Sequence, residues 1–438
     1  MTETPNPETL AAALVDAREA LGLTQEGLAE RSGLSVRAIR NLETGHTARP
    51  RKQSLLLLAR ALGLPPGRLL RPPRPFGPVG PAGLAGPAGP AGPAGPAGPV
   101  PAELPAAPRH RLAGRELFIA SLTGHLRGEE RREAGGPAVV VGPPGSGKTS
   151  LILRAAHGVR ARFPDGQVFV DLHPASCLPF TSDAVVRRVL RSLGAASTAD
   201  SAEEAAARLR DALSRRRVLV VLDNVDSEAQ VRPLLVDEVR SAVLVAARRE
   251  LPALPGQLRH QVGALAQPDA HRVLEDLVGA ARTRAERSAA ISILRSCAGL
   301  PLALHIAGLW LTARPHRSLR DLADRLADER ARVPFLRVGD LSLRASVTAY
   351  HRSLPPPLKE SLRRLQPVRG DFGVDDMLTR VTPSPDLAVD LLEDLLHRQM
   401  IHVAEAGRDG GIRYRLHDAV RLYVAHCAAE RRPLGTGA

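Results

Sequence analysis

Residues 142–149 are the part of the chain whose residue types and spacing are best suited to chemistry. They read Gly-Pro-Pro-Gly-Ser-Gly-Lys-Thr, follow the apolar run Ala138-Val139-Val140-Val141 and precede a helix-compatible segment that begins at Leu151. A glycine-rich turn between a strand and a helix can point several backbone N–H groups at phosphate oxygens. The pattern G-x-x-x-x-G-K-[ST] therefore predicts a phosphate-binding loop.

Two side chains of this loop have distinct chemical roles. Lys148 supplies a point charge for phosphate oxygens, and Thr149 supplies a hydroxyl that suits Mg²⁺. The alternative is a glycine-rich turn without a ligand, which the strand before the loop and the helix after it disfavour. We predict that a nucleotide contacts the loop residues Gly142, Pro143, Pro144, Gly145, Ser146, Gly147, Lys148, Thr149 and Ser150.

An aspartate ends a second apolar run later in the chain. The run Val218-Leu219-Val220-Val221-Leu222 has the uniform hydrophobicity of a strand that is buried on both faces, and Asp223 follows it. Ligands of parallel α/β sheets bind at the carboxyl ends of the strands. Asp223 is therefore predicted to hold Mg²⁺, directly or through a water molecule, as Thr149 does from the loop.

The composition indicates a multidomain protein without a membrane segment. At 438 residues the chain is long enough for about three domains. It contains no run of about eighteen apolar residues and its N-terminus is polar, so we expect a cytoplasmic location and no membrane partner. The net charge of +14 is spread along the chain, so charge alone is weak evidence for nucleic acid binding. Cys177, Cys297 and Cys427 lack C-x-x-C spacing, which disfavours a zinc site and a disulfide framework.

Residues 77–100 are consecutive Gly-X-Y triplets, mostly Gly-Pro-Ala. One interpretation is a collagen triple helix, but the run is short and carries no charged residues. The better interpretation is a spacer stiffened by proline, which would reach about 70 Å as a polyproline II helix. Such a spacer would let the N-terminal region act at a distance from the nucleotide-binding loop.

The N-terminal region before the spacer has a helical pattern. Thr24 is suited to cap a helix that carries Leu28 and Ala29, Gly33 suits a turn, and Ser35 is suited to cap the next helix. Residues 23–35 resemble the helix-turn-helix of the phage-repressor-like (XRE) family. The resemblance implies that the helix after Ser35 docks in the major groove of double-stranded DNA.

We predict five DNA-contacting residues from this resemblance. Arginines on the docking helix suit guanine edges or phosphates, and a glutamine at the start of the preceding helix suits the DNA backbone. The alternative is a small helical bundle that binds protein, but basic residues outnumber acidic ones between residues 35 and 52, which favours DNA. The predicted DNA contacts are Gln25, Ser35, Arg37, Arg40 and Asn41.

After residue 135 the pattern alternates strands and helices, as expected of a parallel sheet with crossover helices. The region resembles the NB-ARC branch of the STAND signalling ATPases in three short motifs: Leu-Ala-Gly-Arg-Glu-Leu at 112–117, Gly-Leu-Pro-Leu-Ala-Leu at 299–304, and Tyr-Arg-Leu-His-Asp at 414–418. Together with the N-terminal region, their order is similar to that of actinobacterial regulators that join a helix-turn-helix to an NB-ARC module.

The resemblance implies a nucleotide clamped between a sheet domain, a helical bundle and a winged helix. Arg115 would contact the nucleotide, Pro301 would pack near the adenine, and His417 would reach the β-phosphate of ADP in a closed state. Arg248 fits the position that senses the γ-phosphate. The ordinary alternatives are a surface charge for Arg115, a helix-start proline for Pro301 and a core or capping histidine for His417.

The sequence departs from the family pattern at two places. Asn224 follows Asp223 where relatives commonly carry a second acid. A strong general base is therefore missing there, and we expect slow hydrolysis of ATP. Asp226 is an alternative base. The strand before Arg248 ends in two alanines where relatives carry hydroxyl side chains, and Arg249 is an alternative sensor. The chain is thus expected to be a weak ATPase that uses the nucleotide as a switch.

These observations predict a multidomain fold: an all-α helix-turn-helix domain, an α/β P-loop NTPase domain, a helical bundle and a winged helix. The predicted bounds are 1–75 for the helix-turn-helix, 76–109 for the linker, 110–265 for the nucleotide-binding domain, 266–335 for the bundle and 336–432 for the winged helix.

The predicted function is a DNA-binding transcriptional regulator that is switched by ADP and ATP and self-associates when activated. No repeat period follows the winged helix, so a separate sensor protein is expected as a partner. One alternative is an ATPase motor that remodels DNA or loads proteins onto it. Another is a signalling or defence scaffold whose helix-turn-helix binds protein.

Overall fold

The computed structural model describes residues 18, 24–32, 34, 36–43, 58, 61–62, 100–128, 136–172, 180–195, 201–236, 240–368, 370–404 and 411–430. The chain divides into two compact units, Met1–Pro93 and Ala94–Ala438. The spacer, Ser35, and the side chains of Arg37 and Asn41 lie outside the described residues.

Two helices of the first unit follow the predicted pattern. They are α1 (Gln25–Ser32) and α2 (Val36–Glu43). The Thr24 hydroxyl accepts a hydrogen bond of 3.1 Å from the backbone N–H of Gly27, which satisfies a free donor at the start of α1. Apolar side chains of both helices are buried with residues from further along the chain: Leu28, Ala29, Ile39, Leu42, Leu58, Ala61 and Leu62.

A five-stranded parallel sheet forms the centre of the first half of the second unit. Its strands are β1 (Ala138–Val141), β2 (Gly166–Asp171), β3 (Val218–Val225), β4 (Ala242–Ala247) and β5 (Leu258–Gln261). They lie in the order β2-β3-β4-β1-β5. Every residue of β1 and β4 is buried, because helices cover both faces of the sheet. This explains the uniformly apolar runs in the sequence.

Four helices cover this sheet, two on each face. They are α3 (Glu116–Arg127), α4 (Lys148–Val159), α5 (Ser182–Ser192) and α6 (Ala202–Arg215). Helices α3 and α4 pack on one face and α5 and α6 on the other. Three short 3-10 helices complete the layer structure: Arg160–Arg162, Glu228–Gln230 and Arg232–Leu234.

The rest of the second unit is mainly helical, with two short hairpins. Its first helices are α7 (Gln267–Val278), α8 (Ala280–Ala285), α9 (Arg287–Ser296), α10 (Pro301–Thr312), α11 (Leu319–Ala327) and α12 (Glu329–Phe335). A hairpin follows, with strands β6 (Arg337–Val338) and β7 (Leu341–Ser342). The remaining elements are α13 (Leu343–Ser353), α14 (Pro356–Leu365), α15 (Val374–Arg380), α16 (Pro385–His397), β8 (Ile401–Val403), β9 (Tyr414–Leu416) and α17 (Asp418–Glu430).

These helices share one continuous hydrophobic core, which runs from Leu265 to Val424. The core therefore crosses the position between residues 335 and 336 where the sequence predicts a domain boundary. Strands β8 and β9 pair in antiparallel fashion after α16, which is the helix-then-hairpin arrangement predicted for a winged helix. Among the described residues, no helix combines the length and the apolar composition that crossing a bilayer requires.

Candidate functional site

The predicted phosphate-binding loop connects the end of β1 to the start of α4. Gly145 and Gly147 have left-handed backbone conformations, with φ of 79° and 86°. At Gly142, a Cβ atom would lie 2.1 Å from the backbone oxygen of Val262. The loop therefore needs glycine at these positions for backbone conformation and for close packing.

Lys148 lies inside this loop rather than in solvent. Its Nζ donates to the backbone oxygens of Gly142 and Pro143, at 2.8 and 2.9 Å. Burial lowers the pKa of Lys148 to about 7, although the nearby Asp223 carboxylate acts in the opposite direction. Phosphate oxygens would supply the countercharge that favours the protonated amine, so the side chain suits an anionic ligand.

Thr149 and Asp223 meet at the other side of the loop. The Thr149 hydroxyl donates to Asp223 Oδ2 at 2.8 Å. Burial raises the pKa of Asp223, whose side chain is at the carboxyl end of the sheet as predicted. A hydroxyl and a carboxylate oxygen are hard ligands that Mg²⁺ prefers, so this pair fits the ion that accompanies a bound nucleotide.

Three buried polar atoms near the loop have no hydrogen-bond partner among the described residues. They are Ser146 Oγ, Arg248 Nη2 and His417 Nε2. A buried polar atom without a partner costs about 1–3 kcal/mol, so such atoms are rare unless a ligand satisfies them. Phosphate oxygens would accept hydrogen bonds from all three. The residues present therefore fit a nucleotide.

Arg248 follows β4 and is held by two neighbouring elements. Its Nε donates to Asn224 Oδ1 at 3.3 Å, and its Nη1 donates to the backbone oxygen of Ala349 at 3.5 Å. Its Cζ lies 5.4 Å from the centre of the Tyr350 ring. Arg248 is thus beside the loop, where a γ-phosphate sensor is expected. Arg249, the alternative, contacts His397 Nε2 at 2.9 Å.

Asn224 links two acids at the ends of neighbouring strands. Its backbone is left-handed, with φ of 62°, and its Nδ2 donates to Asp171 Oδ1 at 2.8 Å. Asp171 is opposite Asp223 in the register of β2 and β3. Asp171 is not among the predicted site residues, although it follows the apolar run Val168-Phe169-Val170, which is the signal that could have found it.

A cavity lies beside Ser146 and Gly147 of the loop, and Asp223 is not part of its lining. Its lining includes His110, Arg115, Ser146, Gly147, Pro301 and His305. Arg115 is buried and its Nη2 donates to the backbone oxygen of Gly263. Burial also lowers the pKa of this guanidinium. Pro301 starts α10, so it takes the helix-start position and also lines the cavity.

Two histidines of this cavity were missed by the sequence analysis. The rings of His110 and His305 have centroids 4.5 Å apart, and His305 Nδ1 is buried without a partner among the described residues. Burial lowers the pKa of both imidazoles. Both lie next to predicted motifs. His110 precedes the motif at 112–117, and His305 directly follows the motif at 299–304, one helical turn after Pro301.

His417 directly follows β9 and contacts His402 of β8, the other strand of the hairpin. Its ring centroid is 4.7 Å from that of His402, and its backbone N–H donates to Met400. Burial, helped by the nearby His402 and Lys148, lowers the pKa of His417 to about 3. Asp418 begins α17, where its carboxylate is 3.7 Å from Arg421.

The predicted DNA-contacting residues are described only in part. Gln25 Nε2 donates to Glu43 Oε2 at 2.7 Å, and Arg40 Nε donates to Gln25 Oε1 at 3.4 Å. Glu43 also accepts a hydrogen bond of 2.7 Å from Arg18. Gln25 thus connects α1 to the exposed Arg40 of α2.

Comparisons with known proteins agree with this arrangement. Residues 14–69 match the helix-turn-helix family and residues 131–249 match the AAA domain family. The chain is 37% identical over 331 residues to the regulatory protein AfsR of Streptomyces griseus and 38% identical over 338 residues to AfsR of Streptomyces coelicolor. The chain is therefore similar in sequence to the AfsR regulatory proteins.

The aligned region covers 75% of this chain and 33% of each AfsR protein, so the chain spans about a third of the length of these relatives. A Walker-type ATPase of Pyrococcus abyssi has a TM-score of 0.47 and 13% identity, covering 73% of this chain and 97% of its own. The predicted combination of a helix-turn-helix domain with a parallel-sheet P-loop ATPase domain and a helical C-terminal region is confirmed. An AAA domain with this loop implies nucleotide binding.

Proposed function

We propose that the protein is a transcriptional regulator whose binding to double-stranded DNA is switched by ADP and ATP. The observation that carries the proposal is the group of buried Ser146, Arg248 and His417 atoms without partners among the described residues. They come from the loop, the end of β4 and the start of α17. One polyanion bound among them would join the sheet to the C-terminal region.

ADP is proposed to hold the closed arrangement. In that state the cavity lined by Arg115 and Pro301 takes the base end of the nucleotide, and the loop takes its phosphates. His417 would reach the β-phosphate, because Lys148 is near enough to lower the pKa of the imidazole and the buried Nε2 has no partner among the described residues. Neutral His417 can donate one hydrogen bond to such an oxygen.

ATP is proposed to favour an open, self-associated state. Lys148, Asp223 and Arg248 would respond to the third phosphate, and Thr149 and Asp223 would hold Mg²⁺. Asn224 beside Asp223 is an amide and cannot act as a base, which is consistent with slow hydrolysis. A self-associated form brings several helix-turn-helix domains together and raises DNA affinity through effective concentration.

The DNA contacts are proposed to be Gln25, Ser35, Arg37, Arg40 and Asn41, in a cytoplasmic protein. The hydrogen bond from Arg40 to Gln25 supports this, because it fixes a guanidinium on the exposed face of α2. A separate sensor protein is proposed as the source of the signal. A motor would instead couple DNA movement to rapid hydrolysis.

The test begins with genomic DNA captured by the purified full chain and sequenced to define an operator. The Kd for that operator is then measured at fixed salt with Mg²⁺ and either ADP or a non-hydrolysable ATP analogue. We expect tighter binding with the analogue, and no difference between nucleotides for Lys148→Ala. Equal Kd values for the wild type with both nucleotides would contradict the proposal, and multiple-turnover hydrolysis coupled to DNA would favour the motor.

A further inference from the structure

Tyr350 is an aromatic side chain that lies against Gly142 and Lys148 of the loop. It is buried, and its hydroxyl donates to the backbone oxygen of Gly142 at 3.4 Å. Lys148 Nζ is 5.0 Å and Arg248 Cζ is 5.4 Å from the centre of its ring. Both distances are within the range over which a ring face attracts a cation. One ring therefore contacts the two cations that are expected to meet the third phosphate of ATP.

The ring lies within cation–π distance of both cations. Lys148 turns back to the carbonyl oxygens of Gly142 and Pro143, and Arg248 donates to Ala349, the residue before Tyr350. A phosphoryl group that contacted both cations would compete with the ring for them. By contrast, Tyr350 is not in the lining of the cavity formed by Arg115 and Pro301, so the ring does not block that cavity.

Tyr350 is also fixed to a helix that packs along the loop. Leu343, Val347 and Tyr350 form the buried face of α13. Leu343 lies close to Gly145, since its Cδ1 would be 3.5 Å from a Cβ placed there. Next to Tyr350, the ring of His351 is 5.3 Å from that of Tyr423 in α17. A movement of Tyr350 away from the loop would therefore move α13 against both the loop and α17.

We propose that Tyr350 sets the preference for a nucleoside diphosphate over a triphosphate. Its contacts with Lys148 and Arg248 remain when ADP is bound and must break before the two cations hold the third phosphate of ATP. This inference rests on the proposed nucleotide switch and identifies the side chain through which the third phosphate acts on the C-terminal helices. A ring that served only as core packing would affect the binding of both nucleotides alike.

The experiment measures affinity by isothermal titration of the full chain with Mg·ADP and with Mg·AMP-PNP. The variants are Tyr350→Ala, Tyr350→Leu, which keeps part of the buried volume, and Tyr350→Phe, which keeps the ring. Wild type should prefer ADP. We expect the Ala and Leu variants to bind AMP-PNP about tenfold more tightly than wild type does while ADP affinity changes by less than about twofold. The Phe variant should keep the wild-type preference.

Light scattering of wild type with each nucleotide separates the role of Tyr350 from the proposed nucleotide switch. If wild type self-associates with AMP-PNP but Tyr350→Leu binds both nucleotides as wild type does, the role of Tyr350 is wrong and the switch stands. If wild type binds no nucleotide or has the same mass with both, the proposed function itself fails. If the Ala and Leu variants lose ADP and AMP-PNP together, the ring supports the whole site and the inference is overturned.

Discussion

The neutral imidazole of His417 makes the stability of the second unit depend on pH. Its pKa is lowered from 6.5 to about 3 in the folded protein, mainly by burial. Below pH 6.5 the unfolded chain therefore binds a proton at this position that the folded chain does not bind. The stability is fully present above pH 6.5 and falls as the pH falls through 6.5 towards 3.

The size of this effect follows from the linkage of proton binding to unfolding. At pH 5.5, one unit below the unfolded pKa, His417 lowers the free energy of unfolding by about 1.4 kcal/mol. At pH 7.5 His417 lowers the free energy of unfolding by only about 0.1 kcal/mol. The result at pH 5.5 depends little on the folded value, provided that it lies well below 5.5. Other half-buried histidines, such as His402, add their own terms, so the prediction concerns the difference between wild type and a variant.

The assay is urea unfolding of the nucleotide-free chain at pH 7.5 and 5.5, followed by the fluorescence of its single tryptophan. Trp310 is in the same hydrophobic core as Tyr414 and Leu416, which lie just before His417 in the chain. The variant His417→Asn should lose about 1.4 kcal/mol less than wild type between the two pH values. His316→Asn, at an exposed position, is the control and should keep the wild-type pH dependence. If the stability of His417→Asn is as sensitive to pH as that of wild type, the predicted contribution of His417 is wrong.

Two further predictions concern the loop and the DNA-binding helix. Gly142→Ala should lower the free energy of unfolding by about 3 kcal/mol, since its Cβ would meet the Val262 oxygen at 2.1 Å. The control is Gly194→Ala, which has no atom within 4 Å of the added Cβ and should cost only the roughly 1–2 kcal/mol of a left-handed backbone. Thermal unfolding of both variants checks the difference. Replacing both Arg37 and Arg40 by Ala should weaken operator binding by about 1–3 kcal/mol for each lost base contact and leave ADP affinity unchanged; an unchanged footprint at fixed salt would exclude α2 as the reading helix.

The central strands and the loop were predictable because their signals are local. Strands β1, β3 and β4 are buried on both faces, so their apolar runs stand out in the sequence. The loop has a fixed spacing of glycines and a lysine. Strand β5 gave no such signal, since it reads Leu-Arg-His-Gln at the edge of the sheet and alternates between half-buried and exposed residues.

The contacts that complete the site were not predictable, because they join distant parts of the chain. Tyr350 is 208 residues from Gly142, to which it donates a hydrogen bond. In the sequence it is one apolar position of an amphipathic helix. His110 and His305 meet only because the segment before α3 packs near α10. Periodicity identifies the buried face of a helix but not the element against which that face packs.

The most direct test of the proposed nucleotide switch is the molecular mass of the full chain in solution with each nucleotide. Light scattering at micromolar protein is measured with Mg·ADP and with Mg·AMP-PNP, for wild type and for Lys148→Ala. We expect a monomer with ADP, a larger species with AMP-PNP, and no response to either nucleotide in the variant. A wild-type mass that is the same with both nucleotides, in a protein shown by titration to bind them, would contradict the proposed switch.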